Sequence, residues 1–289
     1  MKKVSFKRID ILVLSILILI VFYIFYRINI YIDYHWQWHR VVDYIINKDE
    51  KGYHFGLLSK GLFYTLKLSM WSIIFSIILG FIFGTFRSFK RPFFRFGSLI
   101  YVELNRNIPP LILIFIFYFF ISDQIFTLFE VEYFIRNLGK TAREIITIFF
   151  APPNLISSFF AGVLALSVFE SAYIAEIVKA GIESVDVGQK EAAKALGLSK
   201  YQILRYVTIP QASKVIIPPL SNQCISTIKD SSIVSVIAIP ELTFQGMEMM
   251  SATYLSYETW ITVTFFYFIL TFSLSMLNKK IERTYTLNF

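Results

Sequence analysis

Charged residues are scarce in this sequence. They make up 17% of its 289 residues, and 56% of the chain is hydrophobic, whereas soluble globular domains carry about 25% charged residues. This composition argues against a soluble globular fold. The chain also has a single cysteine, Cys224, which excludes an internal disulfide. What it has in abundance is aromatic side chains, with 31 Phe and 17 Tyr.

Apolar runs of roughly 20 residues recur along the chain, the length a helix needs to cross a bilayer while satisfying its own backbone hydrogen bonds. They cover residues 11–26, 57–86, 97–121, 155–180, 215–239 and 258–277. The short loops between them leave no room for a soluble catalytic domain. The sequence therefore predicts an all-α integral membrane protein with six transmembrane helices.

Some of these runs carry local signals. Gly80 and Gly84 lie four residues apart in the second run, a spacing of small residues that permits close helix packing. Pro109 and Pro110 predict an irregular or kinked helix in the third. The first run follows the basic segment MKKVSFKR without a small-residue cleavage site after it. We therefore interpret that run as a retained anchor and not as a secretory signal.

The distribution of basic residues predicts the orientation of the chain. With the N-terminus in the cytoplasm, the inner segments carry 17 Lys and Arg and the outer segments carry 8. This excess satisfies the positive-inside rule, and it explains the net charge of +8 without a nucleic-acid partner. We therefore expect a multi-pass protein with both termini in the cytoplasm.

No motif for nucleotide or metal chemistry is complete. LGKT at 138–141 resembles the end of a phosphate-binding loop, but such a loop needs a glycine where Phe134 stands. His35 and His39 are spaced like two metal ligands on a helix, yet no third ligand is obvious. We therefore expect no metal or cofactor in this chain, and we expect another chain to bind whatever energises it.

The stretch EAAKALGLSKYQILRYVTIP at 191–210 is polar, and it lies in a predicted cytoplasmic segment. Just before it, Asp186 and Gln189 have the form of a helix N-cap and its partner. Gly197 then predicts the end of this first helix, because glycine readily adopts the left-handed conformation of a helix C-terminus.

A second short helix is predicted after Gly197. Ser199 and Gln202 repeat the capping pattern, and the helix is expected to run to Pro210. The first helix has only a narrow apolar stripe, too small for a core of its own, which consists of Ala192, Ala195 and Leu196. The pair of helices is therefore expected to dock onto another surface.

Two other interpretations of the stretch remain. It resembles a DNA-reading helix-turn-helix, but that motif needs a third helix, and apolar spans begin within a few residues on either side. An amphipathic loop that lies on the membrane surface is the second alternative. We expect no nucleic-acid partner.

The stretch resembles the cytoplasmic motif of permeases in binding-protein-dependent ABC importers. The residues that carry this resemblance are Glu191, Ala192, Ala193, Gly197, Val207, Ile209 and Pro210. Further similarity to the polar amino acid branch covers YVELNRNIPPL at 101–111, AYIAEIVKAGIESVDVGQ at 172–189, PQASKVIIPPLSN at 210–222 and IKDSSIVSVIAIPEL at 228–242. The departures are Val207 and Ile209 for the usual isoleucine and leucine, Asn107 and Pro110 in the polar span, and the extra first span before a five-helix core.

The resemblance implies a domain organisation and a set of partners. Residues 1–56 form an anchor and an interfacial outer segment, residues 57–283 the permease domain with a coupling segment at 183–210, and residues 284–289 a tail. The implied partners are cytoplasmic ATPase subunits that bind ATP and Mg²⁺, a second permease copy or paralogue, an extracytoplasmic substrate-binding protein and the lipid bilayer. The implied location is the bacterial cytoplasmic (inner) membrane. Contact with the ATPase is implied for Glu191, Ala192, Ala193, Gly197 and Pro210.

Charged residues at membrane depth are costly, so they usually face a cavity or a partner. The candidates for a substrate path are Glu103, Arg106, Glu170, Lys229 and Asp230. The cations suit a substrate carboxylate and the acids suit an ammonium group, unless these charges pair with one another. We expect Glu176 to be a structural partner of the coupling segment. FESAY at 169–173 is similar to a form found in glutamate/aspartate permeases, which favours acidic substrates over glutamine and basic amino acids.

A second functional class is an ion-coupled secondary transporter that works without an ATPase. It predicts inverted repeats and paired interrupted helices, and the sequence shows no internal repeat. An enzyme is disfavoured as well, since no nucleophile–base or metal constellation lies at either membrane face.

Overall fold

A computed structural model describes residues 8–31, 34–49, 52–89 and 91–287, which are helical apart from turns and one short hairpin. The helices are α1 (Arg8–Tyr31), α2 (Trp38–Ile45), α3 (Leu57–Arg87), α4 (Pro92–Asn107), α5 (Pro110–Ile116), α6 (Asp123–Leu128), α7 (Val131–Asn137), α8 (Lys140–Phe149), α9 (Ile156–Glu183), α10 (Val187–Ala195), α11 (Lys200–Ile203), α12 (Ile209–Asp230), α13 (Leu242–Thr253) and α14 (Ser256–Leu287). Strand β1 (Ile46–Asp49) pairs antiparallel with β2 (Gly52–Phe55).

The chain divides into two compact units, residues 1–40 and residues 41–289. The first unit contains α1, whose apolar side chains are exposed along 9–24, and the stacked rings of Trp36 and Trp38, 5.6 Å apart. The second unit contains the hydrophobic core. The predicted boundary between residues 56 and 57 stays a prediction.

Among the described residues, four helices are long and apolar enough to cross a membrane: Leu57–Arg87, Pro110–Leu128, Pro153–Glu183 and Ser256–Lys280. A fifth span results if the bent pair Lys200–Ile237 and Leu242–Thr253 counts as one. The apolar part of α1, Ile9–Ile24, is shorter. The all-α membrane class is thus confirmed, while the number of six spans stays a prediction.

The predicted third span, 97–121, is wrong in its limits. The helix breaks at Ile108 and Pro109, which have extended ψ angles of 129° and 136°. The reason is local, because a proline disfavours helical geometry in the residue before it. Helix α4 is therefore a separate element. The membrane-length segment runs from α5 through a π-helical turn, Phe117–Ser122, into α6.

The predicted fifth span, 215–239, is part of a longer and bent element. Helix α12 continues into a 3-10 segment, Ser231–Ile237, and Ala238 then adopts a left-handed conformation with φ 56°. After Pro240 the chain enters α13, which is inclined by 50° to the preceding helix. Interrupted helices of this kind occur at membrane depth where protein or a cavity satisfies the freed backbone groups.

Close packing of α3 against α9 forms the centre of the second unit. A Cβ atom added to Gly80 would lie 2.4 Å from Ile174 Cγ2, and one added to Gly84 would lie 2.7 Å from the Ala175 carbonyl oxygen. Neither position has space for a side chain. The close approach predicted from the spacing of Gly80 and Gly84 is therefore confirmed.

Helix α2 and the β1–β2 hairpin cover one end of α3. The Ile45 carbonyl oxygen accepts hydrogen bonds from the backbone N–H of Gly56 (2.8 Å) and from Ser59 Oγ (2.7 Å). Val41 is buried in one cluster with Leu58 and with residues of α13 and α14. The hairpin was not predicted, because its strands are only four residues long and INKD lacks alternating apolar residues.

Candidate coupling segment and polar sites

The first coupling helix, α10, begins at the predicted cap. Asp186 is its N-cap residue, and its Oδ1 accepts the backbone N–H of Gln189 at 3.3 Å. The side chain of Gln189 has a different partner from the one that a capping box requires. Its Oε1 accepts a hydrogen bond from Gln211 Nε2 on α12, so this amide pair ties the first coupling helix to the next long helix.

The end of α10 is a Schellman turn centred on Gly197. Gly197 has a φ of +82°, its N–H donates to the Lys194 carbonyl (3.0 Å), and the Leu198 N–H donates to the Ala193 carbonyl (3.2 Å). This pair of bonds satisfies carbonyl groups that a helix end otherwise leaves open. The predicted left-handed glycine is confirmed.

The second coupling helix begins as predicted and ends differently. Ser199 and Gln202 form a complete capping box at the start of α11, with bonds of 3.3 and 2.8 Å. The prediction that this helix stops at Pro210 is wrong. A π-helical turn, Leu204–Thr208, joins α11 to α12, and Pro210 lies in the first turn of α12. Proline is tolerated there because the backbone N–H groups of a first helical turn have no intrahelical acceptor, so the N–H that proline lacks costs no hydrogen bond.

The residues predicted to contact an ATPase lie on α10, in the turn that follows it and at the start of α12. Ala193 is buried, whereas Glu191, Ala192, Gly197 and Pro210 are exposed. The segment also exposes large apolar side chains, with Leu196 at 80% exposure. The other large apolar side chains that it exposes are Val187, Tyr201, Leu204, Tyr206 and Ile209. An exposed apolar patch of this kind is typical of a protein–protein contact.

Glu170 is the most enclosed of the predicted path residues. It lies on α9 and is fully buried, and its Oε2 accepts a hydrogen bond from Gln223 Nε2 on α12 at 2.5 Å. Its Oε1 has no hydrogen-bond partner among the described residues. Asp230, at the end of α12, lies near enough to interact with it electrostatically. The structure thus brings two acidic side chains of the predicted path together.

The two predicted cations have different surroundings. Arg106 Nη1 donates to Glu176 Oε1 at 3.2 Å, and its guanidinium lies 5.6 Å from the centre of the Tyr173 ring. Lys229 is exposed and has no ion-pair partner within the described part of the chain. Glu103 is exposed and accepts a hydrogen bond from Asn107 Nδ2 at 3.4 Å. Charge pairing therefore accounts for Arg106 but not for Lys229.

The expectation for Glu176 is wrong in its partner. Glu176 pairs with Arg87 at the end of α3 and with Arg106 near the end of α4, and not with the coupling segment. The pairing was not predictable from the sequence, because residues 87, 106 and 176 come together only when α4 packs across α3 and α9.

Glu241 is a buried polar residue that the sequence interpretation missed. Its carboxylate caps α13 by accepting the backbone N–H groups of Thr243 (2.9 Å) and Phe244 (2.8 Å). The Tyr267 hydroxyl donates to it from α14 at 2.8 Å. An acidic residue after Pro240 and before an apolar helix was the available signal.

Comparison with known proteins identifies the family. Residues 72–286 match the family described as "Binding-protein-dependent transport system inner membrane component". The chain belongs to this family. The resemblance predicted from the cytoplasmic motif is therefore confirmed, and with it a multi-pass permease of the inner membrane.

Relatives of this permease differ in their stated substrates. The probable glutamine ABC transporter permease protein GlnM of Bacillus subtilis (strain 168) is 33% identical over 237 residues, covering 80% of this chain and 96% of the relative. The glutamate/aspartate import permease protein GltJ of Escherichia coli (strain K12) is 28% identical over 230 residues, covering 80% and 87%.

Solved structures share the fold of this permease. One titled "Crystal structure of an amino acid ABC transporter with histidines" has a TM-score of 0.63 and 33% identity, covering 79% of this chain and 94% of that one. An inward-facing methionine ABC transporter, MetNI, has a TM-score of 0.58 at 21% identity, covering 79% and 96%. The second likeness concerns the fold alone.

The hydrogen bond between Glu170 and Gln223 predicts how this permease responds to substitution. Glu170→Leu leaves the half-buried Gln223 amide without its acceptor, which costs about 1–3 kcal/mol. Glu170→Gln retains an acceptor oxygen and is expected to lose less. Thermal unfolding of the purified permease in detergent measures the loss of stability in each of the two variants. Equal losses in the two variants would show that the hydrogen bond is not what matters at this position.

Proposed function

We propose that this chain is the membrane-spanning subunit of an ATP-driven importer of polar amino acids, with L-glutamine as the first substrate to test. The observation that carries the proposal is the 33% identity to a probable glutamine permease across 96% of that relative. The glutamate/aspartate expectation drawn from FESAY at 169–173 is not confirmed, and acidic amino acids become the second choice.

Coupling to ATP hydrolysis is assigned to residues 186–210. The exposed apolar patch on this segment supports contact with a cytoplasmic ATPase subunit, which binds ATP and Mg²⁺. Helix caps at Asp186 and Ser199 and the turn at Gly197 make the segment stiff. A stiff segment fused to α9 and α12 can transmit a rigid-body displacement into the spans. In this proposal the chain itself holds no nucleotide, and both termini lie in the cytoplasm.

The proposed substrate path uses the polar residues of α4, α9 and α12. Glu170 and Asp230 suit a substrate ammonium group, and Lys229 and Arg106 suit a carboxylate, with Glu103 at the edge of the path. The remaining partners are a second permease copy or paralogue and an extracytoplasmic substrate-binding protein. The permease is expected to act as part of this assembly and not as an enzyme by itself.

Purification from native membranes in mild detergent tests the proposal. We expect an ATPase subunit to co-purify, and the identified chains then settle whether one or two permease types are present. The complex is reconstituted in vesicles with its binding protein, and uptake of labelled glutamine, glutamate and aspartate is measured with and without ATP. ATP-dependent glutamine uptake supports the proposal. Uptake that needs neither ATP nor a binding protein would favour a secondary transporter instead.

A further inference from the structure

Two arginines share one carboxylate oxygen where α3, α4 and α9 meet. Arg87 and Arg106 both donate through Nη1 to Oε1 of Glu176, with a distance of 3.2 Å for Arg106. We call these three residues the arginine cluster. Because it contains two cations and one anion, it carries one positive charge that its own members do not neutralise.

Arg87 is the fixed member of the arginine cluster. It is the last residue of α3, and its side chain is only 9% exposed. It follows Gly84, where α3 packs directly against Val178 of α9. A buried guanidinium that loses its only carboxylate is strongly destabilised. The bond between Arg87 and Glu176 is therefore expected to persist throughout transport.

Arg106 is more exposed than Arg87 and is therefore less constrained by its surroundings. Its side chain is 40% exposed, and it lies in the last turn of α4, directly before the break at Ile108 and Pro109. A guanidinium offers five N–H donors, and the bond to Glu176 uses only one of its nitrogens, Nη1. The planar fork of an arginine matches a carboxylate in a bidentate arrangement.

We propose that Arg106 is an exchange site for the α-carboxylate of the transported amino acid. The substrate carboxylate replaces Glu176 as the partner of Arg106, and Glu176 remains neutralised by Arg87. Because no buried charge is left unpaired, the exchange carries no large electrostatic cost. This inference rests on the proposed function, and it adds to the role proposed there for Arg106 the exchange of its partner from Glu176 to the substrate.

The arginine cluster lies close to the coupling segment and to the break after α4. Glu176 lies two helical turns before the end of α9 at Glu183, after which the coupling segment begins. Arg106 precedes the break that leads into the span Pro110–Leu128. Exchange of partners breaks one bond between α4 and α9 at this point. Substrate arrival therefore loosens a contact between α4, just before its break, and α9, the helix that leads into the coupling segment.

Equilibrium binding of labelled L-glutamine to the reconstituted permease–ATPase complex, without the binding protein, tests the exchange. Arg106→Gln is expected to weaken binding about tenfold or more, since a charged hydrogen bond contributes about 1.5–3 kcal/mol and 1.4 kcal/mol is tenfold. Glu176→Gln removes the competing carboxylate and is expected to tighten binding. Arg87→Gln leaves Arg106 as the remaining partner of Glu176 in the arginine cluster, so this substitution is expected to weaken glutamine binding.

These opposite effects separate exchange from a structural role, in which all three substitutions would impair binding alike. Glu176→Asp, which withdraws the carboxylate and lengthens the 3.2 Å contact with Arg106, replaces Glu176→Gln if that complex does not assemble. Arg95→Gln, an exposed arginine on the same helix, is the matched control and should leave the affinity unchanged. L-Glutaminamide, which lacks the α-carboxylate, should not compete in the unsubstituted complex.

ATP-driven glutamine uptake by the same preparations keeps the two proposals distinct. The exchange would be overturned, and the proposed function left intact, if the unsubstituted complex takes up glutamine while all three substitutions weaken binding equally. The same conclusion would follow if it takes up glutamine but neither it nor the Glu176→Gln complex binds glutamine. A complex that takes up no polar amino acid would overturn the proposed function and the exchange with it.

Discussion

Gly197→Val is expected to abolish most ATP-coupled uptake while membrane insertion stays normal. Gly197 has a φ of +82°, and a Cβ atom there would meet nothing within 4 Å, so strain and not collision is the cause of the defect. A residue with a side chain costs about 1–2 kcal/mol in this conformation. If the turn opens to relieve the strain, the bonds from Gly197 and Leu198 to the end of α10 are lost. Uptake into vesicles that contain the ATPase measures the effect.

Gly197→Asn is the control for this experiment. Asparagine adopts the left-handed conformation more readily than other residues with a side chain, and it replaces glycine at some helix ends. We expect the asparagine variant to retain most of the uptake. Wild-type uptake by the valine variant, with the ATPase present, would refute the coupling role of the turn.

Gly80→Leu is expected to prevent normal folding of the permease. The first added carbon alone would lie 2.4 Å from Ile174 Cγ2 and 3.2 Å from the Ser171 carbonyl oxygen. Overpacking of this kind typically costs about 1–3 kcal/mol and sometimes more. At about 2–4 °C per kcal/mol, the melting temperature is expected to fall by about 2–12 °C, or the protein fails to accumulate. Thermal unfolding in detergent provides the measurement.

The matched control is Gly97→Leu. Gly97 also lies within a helix, but a Cβ atom there would meet nothing within 4 Å. Leucine has a higher helix propensity than glycine, so this variant should unfold at or above the wild-type temperature. If both variants unfold alike, the contact between α3 and α9 is not the cause of the loss.

The coupling segment was largely predictable because its determinants are local. The caps at Asp186 and Ser199 and the left-handed Gly197 depend on residues three or four positions away, and all are present. The exception is Pro210. Its position in a first helical turn depends on the π-helical segment Leu204–Thr208, which the pattern of residues does not reveal.

The sequence predicted which charged residues belong to the polar sites, but it did not predict which residues they contact. Arg106 and Glu170 are candidates in the sequence because charged residues at membrane depth usually face a cavity or a partner. Their partners, Glu176 and Gln223, lie 70 and 53 residues away along the chain. Such contacts depend on how helices cross, and helix crossing depends on side-chain packing over the whole interface.

The sequence by itself determined the class of protein, the family and the local structure of the coupling segment, because hydrophobic run length, motif spacing and helix caps act over short distances. The break at Pro109 was also predictable, because a proline acts on the residue directly before it. Only the tertiary structure decided that the chain bends at Ala238, that α4 packs as a separate helix, and which charges meet. These features arise from packing between distant segments. A carboxylate such as Glu176 has no assigned partner until α3 and α4 have both packed against α9.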